Sequence, residues 1–169
     1  MNYKYIFHTP FGYAALLYSI DPFNITEIFL PSPDKGYILK KTHGIGAEKN
    51  LSNAKVSLVA EAVQNYFKGK KEPFPPLFFD WIDFGNITSL EKEVLFATTS
   101  ISYGKTASYG DIARFLGRPK AYRFVGNTLA KNPFPVLIPC HRIIRRDGST
   151  GGFGGGMELK VKMLALEKR

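Results

Sequence analysis

Residues 139–142 read Pro139-Cys140-His141-Arg142. The apolar run Val136-Leu137-Ile138 precedes them, and Ile143-Ile144 and then Arg145-Arg146 follow. Cys140 is the one cysteine among 169 residues. A thiol is a good nucleophile only as thiolate, and nearby positive charge lowers its pKa. His141, Arg142, Arg145 and Arg146 lie within six positions, so the spacing predicts a thiol primed by its surroundings. The plainer reading of an isolated cysteine is a small buried hydrophobe. The sequence on either side favours the first reading. One cysteine cannot close an internal disulfide or build a cysteine-based zinc site. Both exclusions point to a reducing, intracellular setting: cytoplasmic, nucleoid-associated, or nuclear in a eukaryote. Neither a metal nor a cofactor is expected.

Outward from this stretch the charge is one-sided. The chain carries a formal net charge of +9, and the eight basic residues from Arg114 to Arg146 are accompanied by no acidic one. Such a block is a solvated surface or a surface for a phosphate backbone. Upstream, Thr88-Ser89-Leu90-Glu91 fits a capping box opening a helix to about Ser100, with Leu90, Val94, Leu95 and Ala97 inward. Ser108-Tyr109-Gly110-Asp111 is a second cap signature, with Ile112, Phe115 and Leu116 as an apolar face and Gly117 as the stop. Pro119 suits the first turn of a third helix, from about Lys120 to Ala130, which ends before Asn132-Pro133. Two short helices joined through a glycine-containing turn make a helix-turn-helix pattern. The second would present Tyr122, Arg123 and Asn127, with Ala121 and Gly126 small enough to let it lie close to a sugar-phosphate surface. Helix pairs of this length are common in ordinary cores; the acid-free basic block is what points to DNA.

Downstream, six glycines among residues 148–156 preclude a helix and give a loop. Its spacing is not that of a nucleotide phosphate loop. The segment from Met157 to Arg169 reads as a helix with Leu159, Met163, Leu164 and Leu166 inward. Glu167 near its end opposes the helix dipole, which suggests that it is held there for a purpose.

The first half alternates short apolar runs with turn signals. Tyr3–Phe7, Tyr13–Ile20 and Ile25–Leu30 read as strands of an antiparallel meander. Ser52–Phe67 has helical spacing at Val56, Val59, Ala60, Val63 and Phe67, with Gly69 as its stop. Lys70–Pro76, with three prolines, reads as a connection. His8 and His43 have no obvious partners in sequence and are read as structural or surface residues. No apolar run approaches the ~20 residues that span a bilayer, and the first residues lack the form of a secretory signal.

Ser108-Tyr109-Gly110, Pro119 to Gly126, Lys131 to Ile144 with Pro-Cys-His-Arg inside an Asn-Pro…Ile-Pro frame, and Gly155-Gly156 ahead of a helix carrying Glu167 resemble the O6-alkylguanine-DNA alkyltransferases. The resemblance covers roughly residues 85 to 169. It implies an α+β protein of two domains. Residues 1–80 would be a supporting α/β domain with an antiparallel sheet, ribonuclease H-like. Residues 81–169 would be a helical domain of winged helix-turn-helix type that binds DNA and accepts the alkyl group.

It also implies roles. Cys140 is the alkyl acceptor, His141 its base through a bound water, and Glu167 the group orienting His141. Asn132 braces the turn carrying the thiol, and Tyr109 donates a hydrogen bond to the guanine ring. Arg123 takes the place of the extruded nucleotide, with Tyr122, Ala121, Gly126, Asn127 and Arg142 also meeting DNA. Tyr109, Ile143, Phe153, Gly154 and Met157 line the pocket. Phe153-Gly154 stands where the family often has Tyr-Ser, which implies a looser pocket open to larger alkyl groups. The expected partner is double-stranded DNA holding O6-alkylguanine, or O4-alkylthymine, with no membrane and a monomeric protein. Two other readings remain: a helix-turn-helix protein that binds lesions or regulates without transfer, and a cysteine hydrolase with multiple turnovers.

Overall fold

The computed structural model describes residues 2–48, 53–71 and 74–168. The chain divides into two compact units, residues 1–85 and 86–169, in a mixed α/β fold.

In the first unit, β1 (Asn2–Thr9) and β2 (Gly12–Ile20) form a hairpin in register from Thr9↔Gly12 to Asn2↔Ser19. β3 (Phe23–Ser32) continues the antiparallel meander. The centre of β2, Ala14 to Tyr18, is buried on both faces, which is why it reads as a continuous apolar run rather than an alternation. A fourth strand, β4 (Ala47–Glu48), pairs parallel to β1 and gives the order β3-β2-β1-β4. A two-residue strand leaves no periodicity to read, so only three strands are legible in sequence.

α2 (Ala54–Phe67) packs on β1 and β2 through Val56, Val59, Ala60, Val63, Tyr66 and Phe67. The expected start at Ser52 lies outside the described residues. α1 (Lys35–Lys41) was not expected: it has two turns, one buried residue, Ile38, and a cap from Asp34 to the Gly36 N–H at 2.7 Å. Of the connection 70–76, residues 72–73 lie outside the described residues, and Pro76–Trp81 winds into a 3-10 helix. The Asp83 N–H donates to Ile25 O at 2.9 Å, so the chain to Gly85 stays with this unit.

In the second unit, α3 (Ser89–Thr99), α4 (Tyr109–Phe115) and α5 (Tyr122–Ala130) pack together. α3 and α4 open on the capping boxes Thr88–Glu91 and Ser108–Asp111. α4 ends on Gly117 at φ +68, with the Arg118 N–H on Ala113 O and the Gly117 N–H on Arg114 O. This double closure needs a left-handed residue, which glycine supplies without strain. α5 begins at Tyr122 rather than Lys120, because the Ala121 N–H closes a separate turn onto Arg118 O at 2.8 Å. β5 (Ala107–Ser108) pairs parallel with β6 (Ile143–Ile144), and α6 (Met157–Glu167) follows the glycine loop.

Two apolar expectations are corrected. Phe115 points outward at 71% exposure and with Phe96 and Leu116 lines an open groove; α4 is too short to turn all three predicted residues inward. On α6 the buried stripe is Lys160, Met163 and Glu167, while Leu159, Leu164 and Leu166 are half-buried. Among the described residues no helix is long and apolar enough to cross a membrane.

Candidate active site

Cys140 opens a short 3-10 turn, Cys140–Arg142, at the end of a braced loop. Asn132 spans that loop. Its Nδ2 donates to Ile138 O at 2.9 Å, and its Oδ1 accepts from the Phe134 N–H at 3.0 Å. The Ile138 N–H closes onto Phe134 O and the Cys140 N–H onto Ile138 O, both at 2.8 Å. Within the loop Val136 is held at φ +77, a conformation that costs a β-branched residue of order 1–3 kcal/mol and persists only where its surroundings impose it. Phe134, Val136, Leu137 and Ile138 are all buried and supply that constraint.

Behind the thiol lies an ionic network. His141 is fully buried, and its Nε2 meets Glu167 Oε1 at 2.6 Å. Arg142 donates from Nε to Oε2 at 2.9 Å, from Nη2 to Oε1 at 3.0 Å, and from Nη1 to Ile101 O at 2.7 Å. The Gly104 N–H adds a further bond to Glu167 Oε2 at 2.9 Å. Burial works against the Glu167 charge, but hydrogen bonds from His141 and Arg142 bring its pKa down to about 2. An ionised carboxylate only accepts, so Nε2 carries the imidazole proton and Nδ1 is the basic nitrogen. Burial holds the His141 pKa below its ordinary value despite Glu167, so the ring is neutral at pH 7.

The thiol itself departs from expectation. Burial pushes the Cys140 pKa up, against opposing contributions from an Asn132 hydrogen bond and the Lys160 charge. Arg142 does not prime it, being spent on Glu167. Arg145 and Arg146 are exposed. The resting sulfur is a protonated thiol that needs a base.

The structure brings Cys140, His141, Glu167 and Asn132 together. Tyr109 begins α4 beside them, half-buried, its pKa raised by burial and by Cys140 and lowered by Arg145. Gly151, at φ +65, faces it so closely that a Cβ there would stand 2.9 Å from the Tyr109 hydroxyl. Gly126 on α5 also faces the Tyr109 ring, at 3.7 Å from a Cβ, rather than open solvent alone. Ile143 is buried in β6. Phe153 is half-buried, Gly154 is exposed with nothing within 4 Å of a Cβ, and Met157 is exposed with its sulfur 3.7 Å from the Thr150 hydroxyl. Tyr122, Arg123 and Asn127 are exposed on α5, the Arg123 guanidinium 5.9 Å from the Tyr122 ring, and Ala121 is half-buried at its start. Arg142 is the correction: it is buried and pairs with Glu167, where the sequence suggested contact with DNA.

Lys160 was missed. It is fully buried beside the site, and its Nζ donates to Ile143 O at 2.6 Å. Apolar periodicity does not mark it, because a lysine is counted as solvent-facing; in the structure it lies three residues before Met163 and seven before Glu167 on one buried face of α6.

Residues 89–169 match the family model for the DNA-binding domain of 6-O-methylguanine DNA methyltransferase. The methylated-DNA–protein-cysteine methyltransferase of Methanothermobacter thermautotrophicus is 42% identical over 87 residues, covering 51% of this chain and 48% of that protein. The chain thus spans about half the length of that relative. The constitutive methylated-DNA–protein-cysteine methyltransferase of Bacillus subtilis is 33% identical over 174 residues, 99% of this chain and 96% of that one. Among solved structures, Mycobacterium tuberculosis OGT in complex with DNA superposes with a TM-score of 0.78 at 27% identity, over 98% of this chain and 92% of that one. With a lone cysteine on a braced turn and a full-length relative above this degree of identity, the chain belongs to the methylated-DNA–protein-cysteine methyltransferase family.

Proposed function

We infer that the protein repairs DNA by moving an alkyl group from O6 of guanine, and to a lesser degree from O4 of thymine, onto its own Cys140. In this reading the first unit is a ribonuclease H-like supporting domain. The second is a winged helix-turn-helix: α4 and α5 form the helix pair, α5 meets the duplex, and the turn after β6, where the Arg145 N–H reaches Ser149 O at 2.8 Å, is the wing. Exposed basic residues along 114–131 and at 145–146 suit a phosphate backbone, and a solved relative is in complex with DNA.

The target atom lies inside the duplex, so the nucleotide must swing out, at a cost of a few kcal/mol. Arg123, exposed on α5, fills the space it leaves. The Cys140 proton passes through a bound water to His141 Nδ1, and Glu167 stabilises the imidazolium that results. The sulfur attacks the alkyl carbon. An S–C bond forms as the C–O6 bond breaks, and the bonding pair moves onto the purine, which the Tyr109 hydroxyl supports with a hydrogen bond. Water cannot cleave the thioether product, so each monomer acts once. No cofactor enters.

The observation that carries this reading is the buried His141–Glu167–Arg142 network, with His141 Nε2 on Glu167 Oε1 at 2.6 Å, in the residue next to the buried Cys140 thiol. Labelled methylated duplex tests it. Label should move to protein up to one equivalent, and Cys140→Ala should abolish transfer while leaving duplex binding. Binding without transfer would instead support a lesion sensor, and repeated turnover would support a hydrolase.

A further inference from the structure

Lys160 has no place in that sequence of steps, yet it is an ammonium at 0% exposure. Its partners are neutral: Ile143 O at 2.6 Å, Gly152 O at 3.5 Å, and the face of Phe153 with its centroid 5.9 Å away. Among the described residues no carboxylate stands within ion-pair distance of it. A buried charge without a counterion is costly and is usually paired. Ile143 stands three positions after Cys140, and Gly152 and Phe153 belong to the glycine loop. Lys160 therefore sits where the strand leaving the thiol meets the loop facing Tyr109.

The charges around this spot are accounted for. Glu167 is taken by His141 and Arg142, and the Arg142 guanidinium is directed to Glu167, to Ile101 O and over the Tyr103 ring. Arg145 is exposed and repels Lys160, and Tyr109 couples to both Cys140 and Arg145. Burial lowers the Lys160 pKa to about 8, with Cys140 acting in the opposite direction. The acidic group left to answer the ammonium is the thiol.

We propose that Lys160 is a positioning residue for alkyl transfer: its buried ammonium is the counter-charge of the Cys140 thiolate and sets how much nucleophile exists at neutral pH. The proposal rests on Cys140 being the acceptor. It gives Lys160 the electrostatic task that the neighbouring arginines appear, from sequence alone, to perform.

Titration of the thiolate by its far-ultraviolet absorbance, with Cys140→Ser as the blank, tests this without substrate. Lys160→Met should move the Cys140 titration upward by about one pH unit, so that about tenfold less thiolate is present at pH 7. Transfer from methylated duplex should fall about tenfold at pH 7 and recover at higher pH. Lys160→Arg should hold both near the parent values. A purely structural lysine would lower the unfolding temperature of Lys160→Met and leave the titration unmoved, which would overturn the proposal. Should Lys160→Met not fold, the reciprocal measurement decides. In nitrogen-15 lysine-labelled protein, Lys160 should titrate lower in Cys140→Ser than in the parent, and an unchanged Lys160 overturns the proposal equally. A parent protein that fails to transfer label at all would refute the repair reading while leaving both titrations readable.

Discussion

At the scale of the residue, Glu167 is the group on which the site's charges balance. Its carboxylate faces His141 and Arg142 at 2.6 to 3.2 Å with almost no exposure. Removing one partner of a buried pair typically costs 3–5 kcal/mol, because the other charge is left stranded. Glu167→Gln should therefore lower stability by about 3 kcal/mol in urea unfolding at neutral pH. The sign in acid follows from a folded pKa of about 2 against an ordinary 4.5. The contribution is complete above pH 4.5 and is lost as pH falls toward 2, an amount of about 3 kcal/mol. Glu167→Gln should flatten that part of the stability profile. An unaltered acid limb would mean that another carboxylate governs it. Glu167 was legible in sequence because a carboxylate in a last helical turn is out of place. Lys160 was not: apolar periodicity counts lysine as solvent-facing, and only the geometry of α6 sets it on the same stripe as Met163 and Glu167. Arg142 failed for a related reason. A basic run does not say which of its members turns inward, and the 3-10 turn after Pro139 turns this one toward Glu167.

Among elements, the helix pair and the glycine loop carry the contrast between strong and weak local signals. The caps at Thr88 and Ser108 were readable because a polar side chain three residues ahead of a carboxylate satisfies orphan N–H groups in a fixed pattern, and both boxes close as expected. α1 and β4 were not readable, since seven and two residues give too few turns or alternations to show a period. The loop's composition announced a loop but not which glycines matter. Gly151 is one that does: its left-handed backbone and the Tyr109 hydroxyl 2.9 Å from a notional Cβ leave no room for a methyl group. Gly151→Ala should displace Tyr109 and slow transfer about 10- to 100-fold, with duplex binding retained; parity in single-turnover rates would remove Tyr109 from the mechanism. Gly154 is the opposite case, with open space around it, so Gly154→Ser should be accommodated by the fold. The ratio of benzylguanine to methylguanine reactivity should drop in the serine variant. A ratio that rises instead would show that the open loop does not serve larger groups.

For the molecule as a whole, the asymmetry of charge is the dominant long-range feature. Of the eight basic residues from Arg114 to Arg146, the seven other than Arg142 are exposed. Each one neutralising a phosphate on duplex DNA adds about −0.9 to the slope of log affinity against log salt. Binding measured across a salt series should therefore weaken steeply, and Arg118→Ala or Lys120→Ala should make the slope shallower by about one if the residue touches phosphate. A slope near zero would argue that this face meets something other than a polyanion. The two-residue pairing of β5 with β6 gives this face its reach into the chemistry. Ser108, which starts the first helix of the pair, lies opposite Ile144, four positions beyond the sulfur. In the proposed reading, the distance from duplex to nucleophile is gauged by these two rungs of sheet, and the tolerance for a misplaced lesion is set there, like the stop on a caliper.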